Sequence, residues 1–496
     1  MKGNIERLGT VLIGLFLVVA LALGYWQVVR APELDAAPNN PRTVEEAARV
    51  VRGKLLDRNG QPLATSEVTP QGVVRHYGLA AASPVTGYHS LKYGNTGIED
   101  AFDQQLRGQR SPDVLARLQG ELSGRRPVGS DVVLTIDARI QAAAAAAMGD
   151  ADGAVVALDP KTGAVLALAS QPYFDPNTVD QDWDRLSHDP GRPLFNRAVQ
   201  STFVPGSTFK TVIAAAATDL GVVDLDHKYS CTTAIKIGDL SVDCRNHAQL
   251  PVVNFYEAYA WSCNRTFALT TLGLGMPGPL DLSDSAKRPY PWEVRGIDPS
   301  VAKLHDYADR FGFEKPIPFD LPVEASRLTD PDQQFFPSLL GQTGFGQGQV
   351  AATPLQMALV AATIANAGNV PAPYLASEVR APSGATSAVH QPGGWLGRAV
   401  SPDTAAKVNK MMELSVEVAY AQNAKIPGVK VAGKTGTAEV GGGNTPNSWF
   451  IGYAPSDNPR VAVAVILANK GSGSDFATPA GQKVLAAALA AYKPER

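Results

Sequence analysis

The longest uninterrupted apolar stretch lies near the N-terminus, where residues 8–29 carry no charged side chain. About 20 apolar residues are enough to cross the hydrocarbon core of a bilayer as a helix. Basic residues precede the stretch and aromatic residues lie near its far end, as in many membrane anchors. The pattern predicts a transmembrane anchor over residues 8–29, preceded by a tail of residues 1–7. A cleaved signal peptide is the alternative, with residues 20–22 as its cleavage site.

Downstream, the apolar pattern predicts two groups of strands separated by helices. Short apolar runs indicate five strands, at residues 153–159, 164–169, 429–440, 448–454 and 460–467. Most predicted helices lie between the two groups, and one more, at residues 480–492, ends the chain. One antiparallel sheet assembled from both groups, with helices packed on it, accounts for this order. We therefore expect an α+β domain over residues 137–496.

A smaller set of elements precedes this domain. Two short extended runs surround an Asn-Gly turn within residues 51–64. An apolar stripe at helical spacing follows at residues 97–108, and a short strand pattern at residues 132–136. These elements predict a smaller α+β domain over residues 30–136.

Composition narrows the functional classes only slightly. The 496 residues are enough for two or three domains with a sizeable core. A formal net charge of −3 gives no basic surface of the kind that binds nucleic acid. We therefore expect no nucleic-acid partner.

The strongest chemical signal is a serine three residues before a lysine at a predicted helix start. Pro205 and Gly206 form a loop, and residues 208–217 continue as an apolar helix. Ser207 and Lys210 then share one helix face, where a desolvated lysine amine can take the serine proton. Taken alone, the pair is better explained by a serine cap followed by an ordinary helical lysine, and only the motifs that follow favour catalysis.

Two further motifs follow Ser207 in the chain. Ser262-Cys263-Asn264 lies in a mixed apolar stretch, and Lys434-Thr435-Gly436-Thr437 lies in a predicted strand. Another Lys-Thr-Gly occurs at residues 161–163, upstream of Ser207, between two predicted strands. We interpret that copy as a hairpin turn.

The order S-x-x-K, S-x-N, K-T-G resembles penicillin-binding proteins and class A β-lactamases. The elements before residue 137 resemble the amino-terminal pedestal of class B penicillin-binding proteins, and the whole chain is most similar to the actinobacterial penicillin-binding protein A type. The resemblance implies a penicilloyl-serine transferase fold, β-lactamase/transpeptidase-like, for residues 137–496. It also implies a pedestal, or dimerisation-like, domain for residues 30–136.

The resemblance assigns catalytic roles to the first two motifs. Ser207 is the expected acylated nucleophile, and Lys210 is its base. Ser262 is expected to relay the proton towards the leaving amine. Asn264 is expected to bind a substrate amide.

The third motif is expected to bind the substrate. By resemblance, Lys434 supplies positive charge near Ser262 and the substrate carboxylate, to which Thr435 and Thr437 donate hydrogen bonds. Gly436 allows close backbone approach from the opposite face of the strand. The backbone N–H groups of Ser207 and Thr437 are the expected oxyanion hole.

The implied activity is that of a serine-type D,D-transpeptidase that cross-links peptidoglycan stem peptides and is acylated by β-lactams. The alternatives are a D,D-carboxypeptidase or a β-lactam-hydrolysing enzyme of the same fold, and a non-catalytic wall-binding scaffold. The resemblance implies neither a metal nor an organic cofactor. It places the protein in the plasma membrane as a single-pass protein with an extracytoplasmic catalytic domain, where a membrane glycan polymerase and other wall-synthesis proteins are possible partners.

The sequence contains three cysteines: Cys231, Cys244 and Cys263. Cys231 and Cys244 flank a segment that alternates like a hairpin, so we expect a disulfide between them in an extracytoplasmic protein. A zinc site that also uses His247 is the alternative, although a fourth ligand is not apparent. Cys263 is expected to be a buried packing residue.

Residues 273–300 form a proline-rich connection that is longer than the family resemblance leads us to expect. Long connections of this kind are usually functional or disordered. We expect either an ordered flap beside the active-site groove or a disordered surface loop.

Overall fold

The computed structural model describes residues 2–30, 48–70, 72–109, 126–244, 250–390 and 393–491. Its strands are β1 Leu55–Leu56, β2 Pro62–Thr69, β3 Gly72–Tyr77, β4 His89–Ser90, β5 Gly94–Asn95, β6 Asp131–Leu134, β7 Gly153–Leu158, β8 Val165–Gln171, β9 Tyr229–Ser230, β10 Ile235–Ile237, β11 Leu240–Val242, β12 Val252–Val253, β13 Asn369–Pro371, β14 Ala376–Arg380, β15 Thr386–Ala388, β16 Gly394–Arg398, β17 Ala432–Ala438, β18 Asn447–Ala454 and β19 Val461–Leu467.

The α-helices between and around these strands are α1 Lys2–Gly24, α2 Ser83–Thr86, α3 Gly97–Ala101, α4 Asp103–Leu106, α5 Ala138–Met148, α6 Val179–His188, α7 Arg197–Gln200, α8 Lys210–Leu220, α9 Phe255–Ala260, α10 Asn264–Leu272, α11 Pro291–Arg295, α12 Asp298–Arg310, α13 Pro337–Gly344, α14 Pro354–Ala365, α15 Pro402–Val418 and α16 Ala477–Ala491.

Helix α1 and the π-helical turn after it contain the predicted anchor. The stretch Arg7–Gln27 is long and apolar enough to cross a membrane, and its apolar window is not buried against the rest of the protein. A large exposed apolar surface of this kind marks a site that contacts a membrane or another protein. It is therefore a candidate membrane anchor, although a signal sequence would have the same length and composition.

The central sheet has the strand order β17-β18-β19-β7-β8, and every neighbouring pair is antiparallel. It thus combines two strands from residues 153–171 with three from residues 432–467, as the hydrophobic pattern predicted. All residues of β18 and β19 are buried, because helices cover both faces of the sheet. Helices α5 and α16 pack on one face and α14 on the other.

The upstream Lys-Thr-Gly copy is a hairpin turn, as predicted. It connects β7 to β8, and the Asp159 carboxylate accepts a hydrogen bond from the Lys161 N–H at 2.8 Å. Gly163 has a φ of +82°, and a Cβ at this position would overlap the Ala372 carbonyl oxygen. The glycine is required by the turn and by this close approach, so the copy needs no catalytic explanation.

The N-terminal sheet has the order β15-β14-β6-β1-β2-β3. Its only parallel pair among the described strands is β1 with β6, in which Leu55 lies beside Val132. Strands β14 and β15 come from residues 376–388, far downstream of the other four strands. Their place in this sheet was not predicted from the sequence. Through them, the sheet joins the N-terminal elements to the larger domain by backbone hydrogen bonds.

The long connection of residues 273–300 is hydrogen-bonded to its surroundings. The Leu280 N–H donates to the Val222 carbonyl oxygen at 2.9 Å, just beyond the C-terminal end of α8. The Asp284 carboxylate accepts from the backbone N–H groups and hydroxyls of Thr232 and Thr233. The Leu280 contact lies at the end of α8 opposite Ser207, so it supports that end of the helix. The Asp284 contacts instead hold the connection against the segment that follows β9.

A buried charge network holds the N-terminal elements together. Glu99 is fully buried, and its carboxylate forms ion pairs with Arg52 at 2.8 Å and with Arg75 at 2.7 Å. Burial alone would raise the pKa of Glu99, but Arg75 and Arg52 outweigh burial and hold it below its usual value. The carboxylate is therefore the counter-charge that two buried guanidinium groups require.

We predict that Glu99→Gln destabilises the protein by about 3 kcal/mol at neutral pH, because Arg75 loses its carboxylate partner and Arg52 keeps only its ion pair with Asp103 among the described residues. The pKa of Glu99 is lower in the folded protein than in the unfolded protein. The stabilisation by the ionised Glu99 carboxylate is therefore complete above about pH 5, and this stabilisation is lost as the pH falls through the folded-state pKa. Unfolding of both proteins by denaturant across that range checks the prediction, and a difference independent of pH would contradict it. Glu67→Gln is the matched control, because Glu67 pairs with His76 on the surface.

Candidate active site

The turn before α8 presents Ser207. Residues Gly206–Phe209 form a 3₁₀ turn that continues directly into α8 at Lys210. Gly206 has a φ of +55°, and a Cβ there would lie 3.0 Å from the Thr437 carbonyl oxygen. Ser207 is partly exposed, whereas Lys210 is fully buried. The serine hydroxyl is thus accessible from solvent while the lysine amine is not.

The Lys210 amine brings the first two motifs together. Its Nζ lies 3.1 Å from Ser207 Oγ and 3.0 Å from Ser262 Oγ. It also donates to the Ser262 carbonyl oxygen and to Asn264 Oδ1, both at 2.7 Å. These two oxygens can only accept hydrogen bonds, so they use both N–H groups of a neutral amine. The nitrogen lone pair is then left for a serine hydroxyl proton.

The loop between α9 and α10 carries the second motif. Ser262 has a φ of +60°, which is uncommon for a residue with a side chain. The Ser262 N–H donates to the Tyr259 carbonyl oxygen at 3.0 Å, and the Cys263 N–H donates to that of Ala258 at 2.8 Å. The surrounding hydrogen bonds therefore fix a backbone conformation that carries strain, as is common at functional sites.

Strand β17 carries the third motif at the edge of the central sheet. Lys434 is fully buried, Thr435 is buried and Thr437 is exposed. A Cβ at Gly436 would lie 2.9 Å from the Pro205 carbonyl oxygen, so the glycine lets the nucleophile turn approach the strand. Thr437 Oγ1 accepts from the Gly473 N–H at 3.1 Å.

Burial controls the charge of both lysines. It lowers the pKa of Lys210 well below its usual value, and the nearby Lys434 cation lowers it further. Burial also lowers the pKa of Lys434 to about 7. No carboxylate of the described residues is a cause of either shift. A neutral amine next to a serine hydroxyl is the arrangement that general-base activation needs.

The predicted Cys231–Cys244 disulfide is wrong, because the structure pairs Cys244 with Cys263 and leaves Cys231 as a buried free thiol. The Arg265 N–H donates to the Asp243 carbonyl oxygen at 3.3 Å, which holds the end of the hairpin against the start of α10. That contact brings Cys244 to Cys263, and no local pattern in the sequence reveals it. Cys263 is therefore more than the packing residue we expected. His247, named in the zinc alternative, lies outside the described residues.

Two groups that support the nucleophile turn were not predicted from the sequence. The Gly346 carbonyl oxygen accepts from the Gly206 N–H at 2.8 Å, and Gly346 has a φ of +75°. The Trp449 indole, fully buried on β18, donates to the Val204 carbonyl oxygen at 3.0 Å. The alternating glycines at 344, 346 and 348 are the one sequence signal that marks a tight backbone approach here.

Two family models match the chain. The model for the penicillin-binding protein transpeptidase domain matches residues 153–489, and the model for the penicillin-binding protein A dimerisation domain matches residues 52–132. The chain is 34% identical to peptidoglycan D,D-transpeptidase PbpA of Mycobacterium tuberculosis, over 99% of both proteins. It is 35% identical to the protein of the same name from Mycolicibacterium smegmatis, again over 99% of both.

Solved structures agree with these matches. The imipenem acyl-enzyme complex of penicillin-binding protein A from M. tuberculosis superposes with a TM-score of 0.78 and 35% identity, over 90% of this chain and 100% of that one. The D,D-transpeptidase domain of a peptidoglycan glycosyltransferase from Eggerthella lenta gives 0.76 and 32%, over 90% and 99%. Full-length similarity, both domain matches and the fold lead to one conclusion: the chain belongs to the class B penicillin-binding proteins, within the penicillin-binding protein A type.

Proposed function

We propose that this protein is a serine D,D-transpeptidase that cross-links peptidoglycan stem peptides through an acyl-enzyme on Ser207, and that β-lactams acylate the same serine. The observation that carries the proposal is the Lys210 amine, which lies 3.1 Å from Ser207 Oγ and 3.0 Å from Ser262 Oγ. The comparisons support it: one relative is named a peptidoglycan D,D-transpeptidase, and one similar solved structure is an imipenem acyl-enzyme complex.

In the first step, Ser207 Oγ attacks the carbonyl carbon of the penultimate D-Ala while Lys210 takes the hydroxyl proton. The backbone N–H groups of Ser207 and Thr437 stabilise the oxyanion. The tetrahedral intermediate then expels the terminal D-Ala, whose nitrogen receives a proton through Ser262. Support for this relay is that the Lys210 amine lies within hydrogen-bond distance of both hydroxyls.

Substrate orientation falls to the remaining motif residues. Lys434 attracts the terminal carboxylate, and Thr435 and Thr437 donate hydrogen bonds to it. Asn264 binds a stem-peptide amide through its side chain. The support is positional: β17 lies next to the nucleophile turn, where Gly436 packs against Pro205.

In the second step, an amine of a neighbouring stem peptide attacks the ester carbonyl. The base accepts the amine proton, a new amide bond forms, and the Ser207 hydroxyl is released. Water in place of the amine would make the product of a D,D-carboxypeptidase. Hydrolysis of the β-lactam ester would make a β-lactamase.

The setting of this reaction follows from α1. We infer that α1 anchors the protein in the plasma membrane as a single span and that the catalytic domain faces the cell wall. Peptidoglycan and β-lactams are the ligands of the site. A membrane glycan polymerase and other wall-synthesis proteins are the proposed partners, because a cross-linking enzyme acts on the strands that a polymerase makes.

The function is tested with a synthetic stem peptide that ends in D-Ala-D-Ala, with and without an acceptor amine. We expect release of D-Ala and formation of the cross-linked product when the acceptor is present. Ser207→Ala should abolish both. Product formed with water alone would support a carboxypeptidase, and no D-Ala release from wild type would support a non-catalytic scaffold.

We predict that benzylpenicillin forms one long-lived ester, on Ser207, and that Lys210 governs its formation more than its decay. Lys210→Ala should slow acylation by roughly a hundredfold or more, the usual scale for losing a general base. Intact-protein mass spectrometry during acylation and after washout measures both rates. Loss of the adduct from wild type within seconds would contradict the transpeptidase proposal and favour a β-lactam-hydrolysing enzyme.

The two lysines predict a bell-shaped pH profile for acylation. The rate should rise with pH as Lys210 loses its proton, and fall as the pH passes about 7, where Lys434 loses its charge. Lys434→Arg keeps the positive charge, so its falling limb should vanish while the rising limb remains. Second-order rate constants from roughly pH 5 to 9.5 test this. An unchanged falling limb in Lys434→Arg would assign it to another group.

Gly346 is predicted to set the position of the nucleophile turn. Gly346→Ala should slow acylation about a hundredfold, because its Cβ would overlap the Gly206 carbonyl oxygen and displace the turn. Gly149→Ala is the matched control: Gly149 has a φ of +60°, but no atom lies within 4 Å of its added Cβ. The control should be acylated like wild type. Equal acylation of the two variants would show that the turn does not depend on Gly346.

A further inference from the structure

Three sulfur atoms meet next to the second catalytic motif. The Sγ atoms of Cys231, Cys244 and Cys263 lie within 4.8 Å of one another. Cys244 and Cys263 form a disulfide, and Cys231 Sγ lies 3.2 Å from Cys263 Sγ. A metal site would need several thiolates, and only Cys231 remains a thiol in this state. The cluster is therefore arranged for sulfur exchange.

We propose that Cys231, Cys244 and Cys263 form a thiol–disulfide exchange centre in which Cys263 alternates between two partners. The Cys231 thiolate attacks Cys263 Sγ, a Cys231–Cys263 bond forms, the Cys244–Cys263 bond breaks, and Cys244 leaves as the thiolate. The proton lost by Cys231 is gained by Cys244. No oxidant or reductant is consumed, because one disulfide replaces another.

The surroundings of Cys231 favour this step and set its speed. Arg265 Nη1 lies 3.7 Å from Cys231 Sγ, and Thr266 Oγ1 lies at 3.8 Å, so two donors can stabilise the attacking thiolate. Burial nevertheless raises the pKa of the Cys231 thiol. The Arg265 cation opposes this increase in pKa, and the Asp284 carboxylate adds to it. The Tyr229 hydroxyl is a further titratable group close to the thiol. We therefore expect a slow exchange that accelerates with pH.

The exchange changes what anchors the catalytic loop. Cys263 lies between Ser262 and Asn264, which both contact the Lys210 amine. With Cys244 as partner, the loop is tied to the end of the β10–β11 hairpin. With Cys231 as partner, it is tied to the segment after β9, and the hairpin loses its covalent tie to the loop. Cys244 is the most exposed cysteine of the three at 9%. Exchange therefore moves the free thiol from the more deeply buried Cys231 to the position where a reagent reaches it most easily.

Alkylation of the native, full-length protein tests the proposal without relying on catalysis. The protein is treated with N-ethylmaleimide at pH 7 and pH 8.5, quenched with acid, and mapped by mass spectrometry without reduction. We expect the adduct on Cys244, an equal amount of Cys231–Cys263 peptide, and a rate that rises about tenfold per pH unit. An adduct on Cys231 with an intact Cys244–Cys263 bond would overturn the proposal. So would no adduct in a day, provided that unfolded protein reacts.

Two variants make the result independent of labelling kinetics. Cys231→Ser should keep the Cys244–Cys263 bond and show no adduct on Cys244 at either pH. Cys244→Ser should contain a Cys231–Cys263 disulfide, because these sulfurs already lie 3.2 Å apart. Two free thiols in a folded Cys244→Ser protein would overturn the proposal. If that variant does not fold, the wild-type mapping against Cys231→Ser still decides.

Discussion

The burial of two lysine amines with no carboxylate partner among the residues that the structure describes is the constraint on which the rest of the site depends. A buried cation costs several kcal/mol unless it is paired, so burial and the mutual repulsion of Lys210 and Lys434 favour a neutral Lys210. The neutral amine has two N–H donors, and the Ser262 carbonyl oxygen and Asn264 Oδ1 accept them at 2.7 Å. A protonated amine would have a third donor, which the Ser207 or Ser262 hydroxyl could accept at 3.1 or 3.0 Å. The hydrogen bonds therefore fit either protonation state, and it is burial beside Lys434 that favours the neutral base.

This arrangement needs three distant chain segments to meet, and backbone contacts bring them together. Gly206 donates from its N–H to Gly346, and Gly436 faces the Pro205 carbonyl oxygen. Because glycine has no Cβ, these backbones approach more closely than side chains would allow. Trp449 on β18 then fixes the turn through its indole N–H, which donates to the Val204 carbonyl oxygen. The nucleophile is thus positioned by rigid elements and by main-chain bonds, whose geometry does not depend on side-chain rotamers.

Local patterns predicted the elements well, and the non-local contacts poorly. The strand periodicity around residues 153–169 and 429–467 gave the central sheet, since one antiparallel arrangement buries both groups. Motif order led to Ser207, Lys210 and Lys434 through resemblance. The pairing of β14 with β6 was missed because about 240 residues separate the partners, and nothing in the periodicity of β14 identifies its neighbour. The disulfide prediction was wrong for the same reason. It paired two cysteines that are close in sequence, Cys231 and Cys244, whereas the contact between Asp243 and Arg265 places Cys244 beside Cys263.

The disulfide that the sequence did not predict offsets, in the overall stability of the protein, the cost of the strained catalytic loop. The positive φ at Ser262 destabilises the folded loop by on the order of 1–3 kcal/mol relative to a relaxed backbone conformation. The Cys244–Cys263 bond closes a loop with a sequence separation of 19, which contributes about 3 kcal/mol in the chain-entropy description. The two terms are of similar size, and they act on adjacent residues. Cys263 also caps α10 by accepting from the Thr266 N–H, so the cross-link and the helix start hold the same residue. Ser262 and Asn264, on either side of it, therefore remain at hydrogen-bond distance from Lys210 while the loop conformation itself is unfavourable.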